Sequence, residues 1–131
     1  SAVRAEIPIW NINGLGEHFL RHLPRFGREF RESCRRVRED CDALYEWLGK
    51  IPGVKAYRPE ANFVFIKLPE GCDADDAVRR LFTRHAFIVK NCSKKIASAD
   101  GQYLRIASVN KEQNESLAEA LAGILTGAAS R

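Results

Sequence analysis

The stretch YLRIASVNKEQNESLAEAL, residues 103–121, decides the fold. Its first part, Tyr103–Val109, is rich in aromatic, β-branched and small residues and predicts a strand. Asn110 then stands three residues before Gln113, a capping box. The asparagine side chain accepts a hydrogen bond from a first-turn amide that has no partner within the helix, and the glutamine reaches back. Leu117 and Leu121 continue at helical spacing, which carries this helix to about Leu125. One residue breaks the pattern. Arg105 lies inside the strand beside Leu104, Ile106 and Ala107, and a buried, unpaired guanidinium is strongly unfavourable. It must reach solvent, a carboxylate or an anionic ligand. Strands that alternate inward and outward residues leave a plain alternative open, that Arg105 simply points to a wet face.

Working outward, Cys92–Gln102 is a polar loop containing the turn signal Asp100-Gly101, and Phe87–Asn91 (FIVKN) is a strand. Asp73 caps a helix through His85, where Asp75 and Asp76 suit the positive helix end better than a metal site. Val54–Tyr57 and Asn62–Leu68 (NFVFIKL) are strands expected to form a hairpin around Pro59. Further upstream, Phe19, Leu23, Phe26, Phe30, Cys34, Val37, Cys41, Leu44, Leu48 and Ile51 recur every three or four residues. They form one stripe of a long amphipathic helix from Leu15 to Ile51, kinked or divided at Pro24 and ended by Pro52-Gly53. Asn11 or Asn13 can cap its start.

The order is long helix, two strands, helix, two strands, helix. It specifies an α+β two-layer sandwich, a small mainly antiparallel sheet covered by helices. Phe63, Phe65, Val89, Ile106, Leu117 and Leu121 are the expected core.

Composition sets wide bounds. With 131 residues, 45% hydrophobic and 29% charged, the chain fits one soluble domain, and a net charge of +4 permits an acidic partner without demanding one. Cys34, Cys41, Cys72 and Cys92 include no C-x-x-C pair, so reduced thiols in a cytoplasmic protein are expected, with no metal site. His18, His22 and His85 do not pair with a cysteine at ligand spacing. No apolar run reaches membrane-spanning length.

The segments IPIWNINGLGEHFL (7–20), LYEWLGKIPGVKAY (44–57), PEANFVFIKL (59–68) and YLRIASVNKEQNESLAEAL (103–121) carry a resemblance. Their order and spacing are similar to those of the C-terminal small domain of class I/II (fold type I) pyridoxal-phosphate (PLP) dependent aminotransferases, closest in look to histidinol-phosphate aminotransferase and threonine-phosphate decarboxylase relatives. The resemblance implies that Arg105 matches the arginine that grips the substrate's α-carboxylate. A guanidinium fork binds a carboxylate bidentately, so the assignment is chemically sound. Lys90 falls where the phosphate-substrate branch commonly has an arginine; it supplies charge but not the planar fork. Asn62, in the A-N-F signature, meets substrate or braces the loop beside Arg105. Residues 1–12, with Ile9 and Trp10, look like a segment from a large domain, and 13–131 like the small domain.

The resemblance further implies PLP as cofactor, held by a large domain of the same polypeptide, an amino-acid substrate and a homodimeric parent. The Schiff-base lysine and the other PLP ligands are expected upstream of this chain, leaving it without catalytic or cofactor-binding residues and inactive alone. Ser93-Lys94 superficially resembles the family's Ser-Lys pair but lies in the polar loop without its context. Two rivals stand beside this reading. The arginines Arg21, Arg25, Arg28, Arg31, Arg35, Arg36 and Arg38 form a row that a nucleic-acid module would use, although acidic residues follow at once. A free-standing regulatory domain binding a small molecule is the other.

Overall fold

The computed structural model describes residues 12–95 and 101–127, in two compact units, Ser1–Cys34 and Arg35–Arg131. The expectations placed on residues 1–11 and on Asp100 lie outside the described residues.

In the first unit, α1 spans Gly14–His22. Asn13 is its cap, its Oδ1 accepting from the Gly16 amide at 2.9 Å. Pro24 cannot donate to the preceding turn, and Leu23–Phe26 forms a 3-10 turn before α2 (Gly27–Gly49) begins. The expected stripe is only partly buried. Phe19, Phe26 and Phe30 are exposed, and burial on α2 begins at Cys41 and continues with Leu44 and Leu48.

The second unit holds the sheet. Its strands are β1 (Lys55–Tyr57), β2 (Phe63–Lys67), β3 (Lys90–Asn91) and β4 (Tyr103–Ala107), in the order β1-β2-β4-β3 with every pairing antiparallel. Two further helices are α3 (Ala74–His85) and α4 (Lys111–Thr126). Val64 pairs with Ile106 and Ile66 with Leu104 in the β2–β4 register, and all four side chains are fully buried. They face Leu44 and Leu48 of α2, Leu81 of α3, and Leu117 and Leu121 of α4 in one continuous core. The helices therefore cover one face of the sheet, the two-layer arrangement expected.

The caps are local and follow the side chains. Asp73 accepts from the Asp75 amide at 2.8 Å, and Asn110 from the Gln113 amide at 2.9 Å. Gly53 takes a left-handed conformation (φ +76) where α2 gives way to β1, and a Cβ there would stand 3.0 Å from Pro69. Three expectations need correction. Phe63 and Phe65 are not core residues: they alternate with Val64 and Ile66, and so stand half-buried on the other face. β3 is shorter than Phe87–Asn91, because Ala86 adopts a left-handed cap and the Phe87 amide bonds back to Leu81 O of α3 at 3.1 Å. β4 ends at Ala107, since the Val109 amide is taken by Asn114 Oδ1 at 2.9 Å.

Candidate functional site

Side chains of successive strand residues alternate, so the register fixes what shares the face away from the helices. Lys90 of β3 lies directly opposite Arg105 of β4, Arg105 opposite Phe65 of β2, and Phe65 opposite Tyr57 of β1. One transverse row thus reads cation, cation, aromatic, aromatic. A second row places Lys67 opposite both Lys55 and Tyr103, and a third places Phe63 opposite Ala107. These nine positions comprise four cations, four aromatic rings and one alanine, with no carboxylate.

Arg105 is exposed, and its guanidinium carbon stands 5.1 Å from the centroid of the Phe63 ring. The aromatic ring attracts the cation and limits its orientation without neutralising it. Lys90 is exposed as well. Among the described residues no carboxylate pairs with either. The short strand carrying Lys90 is secured by its neighbours. Asn91 Nδ2 donates to Asp75 Oδ1 at 2.6 Å, Asn91 Oδ1 accepts from the Ser93 amide at 2.9 Å, and the Cys92 amide donates to Tyr103 O at 2.9 Å. The aromatic half is also ordered by contact, with centroids 5.8 Å apart for Tyr57 and Phe65 and 5.5 Å for Phe65 and Tyr103.

Of the residues singled out in the sequence, the fold brings Arg105 and Lys90 together. Asn62 stands at the start of β2, exposed, and it is its carbonyl that accepts from the Ser108 amide at 2.9 Å. Its backbone extends the ladder beside β4. Ser93 Oγ accepts from the Tyr103 amide at 2.9 Å, while Lys94 is exposed in a 3-10 turn, a structural pair rather than a desolvated lysine. In the arginine row, Arg21, Arg28 and Arg35 pair with Glu17, Glu29 and Glu39. The four cysteines are free thiols, and the described residues contain no group of three or more His, Cys, Asp or Glu placed to hold a metal. No helix among them is long and apolar enough to cross a membrane.

Phe63, Phe65 and Tyr57 share the face of Arg105 and are not singled out by the sequence. The signal was present: residues in register with Arg105 share its face, and both alternating sets of NFVFIKL are apolar enough to leave one set outside the core.

These features define an α+β domain whose second sheet face gathers four cations and four aromatic rings. No family model matches the chain. It is 43% identical over 95% of its length to CMP-5'-(3-aminopropyl)phosphonate synthase of Streptomyces rubellomurinus, covering 20% of that protein. It is 33% identical over 89% of its length to L-serine phosphate decarboxylase of Sulfurospirillum multivorans, covering 30% of it. A solved decarboxylase structure from Sulfurospirillum multivorans superposes over 95% of the chain and 35% of its own, with TM-score 0.82 and 29% identity. The chain therefore spans a fifth to about a third of the relatives it matches. It matches the C-terminal small domain of fold type I PLP-dependent aminotransferases and decarboxylases, with histidinol-phosphate aminotransferases and threonine-phosphate decarboxylases among its relatives. The matches favour this reading over a regulatory or nucleic-acid module. In these relatives PLP is bound mainly by the large domain.

Of the cavities lined by Trp47 and Ala122, by Gly71 and Leu125, and by Pro52 and Thr126, the one that holds a lysine is not shaped for PLP. Lys50 lines a cavity of about 230 Å³ with Trp47, Glu115 and Glu119, but its walls are the end of α2 and the middle of α4. No helix N-terminus opens there to take a phosphate.

Proposed function

We propose that this chain is the substrate-orienting part of a PLP-dependent aminotransferase or decarboxylase acting on an amino acid that bears a phosphate or phosphonate. The observation that carries the reading is the juxtaposition of Arg105 and Lys90, directly opposite across two strands, exposed and without a carboxylate partner among the described residues. Like charges placed directly opposite are unfavourable unless an anion lies between them. Arg105 grips the α-carboxylate with its fork, which fixes direction as well as charge. Lys90, a compact charge on a flexible stem, assists with the second anionic group. Among the relatives' names, serine phosphate is a substrate of this kind, with both a carboxylate and a phosphate, while a histidinol phosphate and a CMP-linked aminopropylphosphonate share with it the phosphorus anion alone. Asn62 holds the end of β4 through its carbonyl and so steadies the strand that carries Arg105.

PLP supplies the electron sink when bound, and the proposal places it, with its Schiff-base lysine, on a large domain of the same polypeptide. Lys94 and Lys95 are exposed, the wrong setting for an amine that works by desolvation. Alone, the chain is expected to be catalytically silent, and the working protein to be a cytoplasmic homodimer. The test uses the full-length protein. Arg105→Gln should abolish turnover of the amino acid while leaving cofactor absorbance intact, and unchanged turnover would remove the reading.

A further inference from the structure

The register sets Phe65 directly opposite Arg105, yet the guanidinium lies over Phe63, 5.1 Å from that ring's centroid. We propose that Phe63 is a positioning residue, whose ring holds the Arg105 fork in the orientation that receives a substrate carboxylate. The inference rests on the carboxylate reading of Arg105 and adds the residue through which that grip is aimed.

The sheet explains the choice of ring. Phe65 is already engaged by two neighbours, its centroid 5.8 Å from that of Tyr57 and 5.5 Å from that of Tyr103, with which it stacks. Arg105 turns instead to its diagonal neighbour on β2, at a separation of roughly 7–8 Å that a long cation and an aromatic ring can bridge. Ala107 stands opposite Phe63 and carries only a methyl group, which leaves the ring's surface open to Arg105. The lean toward β2 also draws the guanidinium away from β3, the strand that carries Lys90. That suits a ligand whose two anionic groups are received separately.

Phe63 has little other task. It is half-buried, and it is not among the partly buried apolar residues packed against the core. Val64 and Ile66 supply the buried face of β2 without it. An exposed arginine samples many rotamers, and a carboxylate that must first order them is bound more weakly. The ring attracts the cation but offers no conventional hydrogen-bond acceptor, so the N–H groups of the fork stay available to the carboxylate. An acidic side chain in the same place would hold Arg105 as firmly and occupy the fork.

The test uses the full-length protein with its cofactor. O-phospho-L-serine and O-phosphoethanolamine share an amine and a phosphate, and only the first has an α-carboxylate. Their binding is read from cofactor absorbance by stopped flow, before turnover. Phe63→Leu should weaken O-phospho-L-serine on the order of tenfold, the scale of one well-shielded cation–ring contact, and O-phosphoethanolamine by less than about twofold. Phe63→Tyr, which restores the ring, should bind both as the wild type does. In an Arg105→Gln background Phe63→Leu should have no further effect on O-phospho-L-serine, because no cation is left to orient. Equal losses for the two compounds, an undiminished loss in the Arg105→Gln background, or unchanged binding in Phe63→Leu would overturn the inference alone. Wild-type protein that does not distinguish the two compounds, or that binds neither, would overturn the carboxylate reading with it.

Discussion

Asn114 Nδ2 donates to the Asp40 carbonyl at 3.2 Å, joining the start of α4 to the middle of α2 across 74 residues. The same side chain donates to Ser108 Oγ at 2.9 Å and accepts from the Val109 amide at 2.9 Å, and it is 1% exposed. A buried amide of this kind is acceptable only when its partners are all present, because each orphaned group bears its full desolvation cost. Asn114→Leu should therefore destabilise the domain by about 2–5 kcal/mol despite its apolar character. Urea unfolding monitored by Trp47 measures it. A loss below half a kcal/mol would mean that water replaces the amide at no cost.

The two alternating sets of β2 should respond differently to truncation. Ile66→Ala empties a fully buried site in the core shared with the helices and should cost about 2–5 kcal/mol. Phe65 is half-buried on the opposite face, so Phe65→Ala should cost less, about 1–2 kcal/mol. Denaturation midpoints of the two variants decide the matter, and the reverse order would exchange the two faces of the sheet.

That contrast also marks how far the sequence could be read. The element order was legible because caps are local: Asp73 and Asn110 each bond an amide two or three residues on, and Pro24 interrupts the ladder where it stands. Arg105 was legible as an anomaly for the same reason, a charge in an apolar run. Which face of NFVFIKL meets the helices was not legible, since Phe63 and Phe65 are as apolar as Val64 and Ile66. That choice is made by the pairing of Val64 with Ile106, 42 positions away by residue number. The stripe upstream of Cys41 misled for a related reason. Helical period identifies an apolar side but not whether anything in the chain covers it, and Phe26 remains 57% exposed.

Cys41 gives a pH prediction. Burial, then the neighbouring Asp42 charge, raise its thiol above the ordinary value, and Sγ lies 3.4 Å from Ala61 O as a donor. The folded chain thus holds this proton more tightly than the unfolded one. The resulting stabilisation is complete below the unfolded thiol's titration and is lost as pH rises through the folded value. The stability difference between wild type and Cys41→Ala should accordingly shrink at alkaline pH. In alkylation at neutral pH the exposed Cys34 should react first and Cys41 only after unfolding. A constant difference across that range, or prompt labelling of Cys41 in the folded chain, would contradict this.

The last prediction separates binding from folding at Arg105. In the full-length protein Arg105→Lys keeps the charge and removes the bidentate fork, so the substrate carboxylate is held loosely and its orientation suffers. Losing such a charge-assisted pair should cost roughly 2–4 kcal/mol, on the order of 30- to 1000-fold in kcat/KM, with cofactor binding little altered. Folding should hardly change. The residue is exposed, has no carboxylate partner among the described residues, and keeps with lysine a cation able to lie over the Phe63 ring. Steady-state kinetics on the whole protein and thermal melting of this chain, both with the same substitution, make the paired measurement. Intact kinetics together with a large loss of stability would show that Arg105 holds the sheet together rather than a substrate.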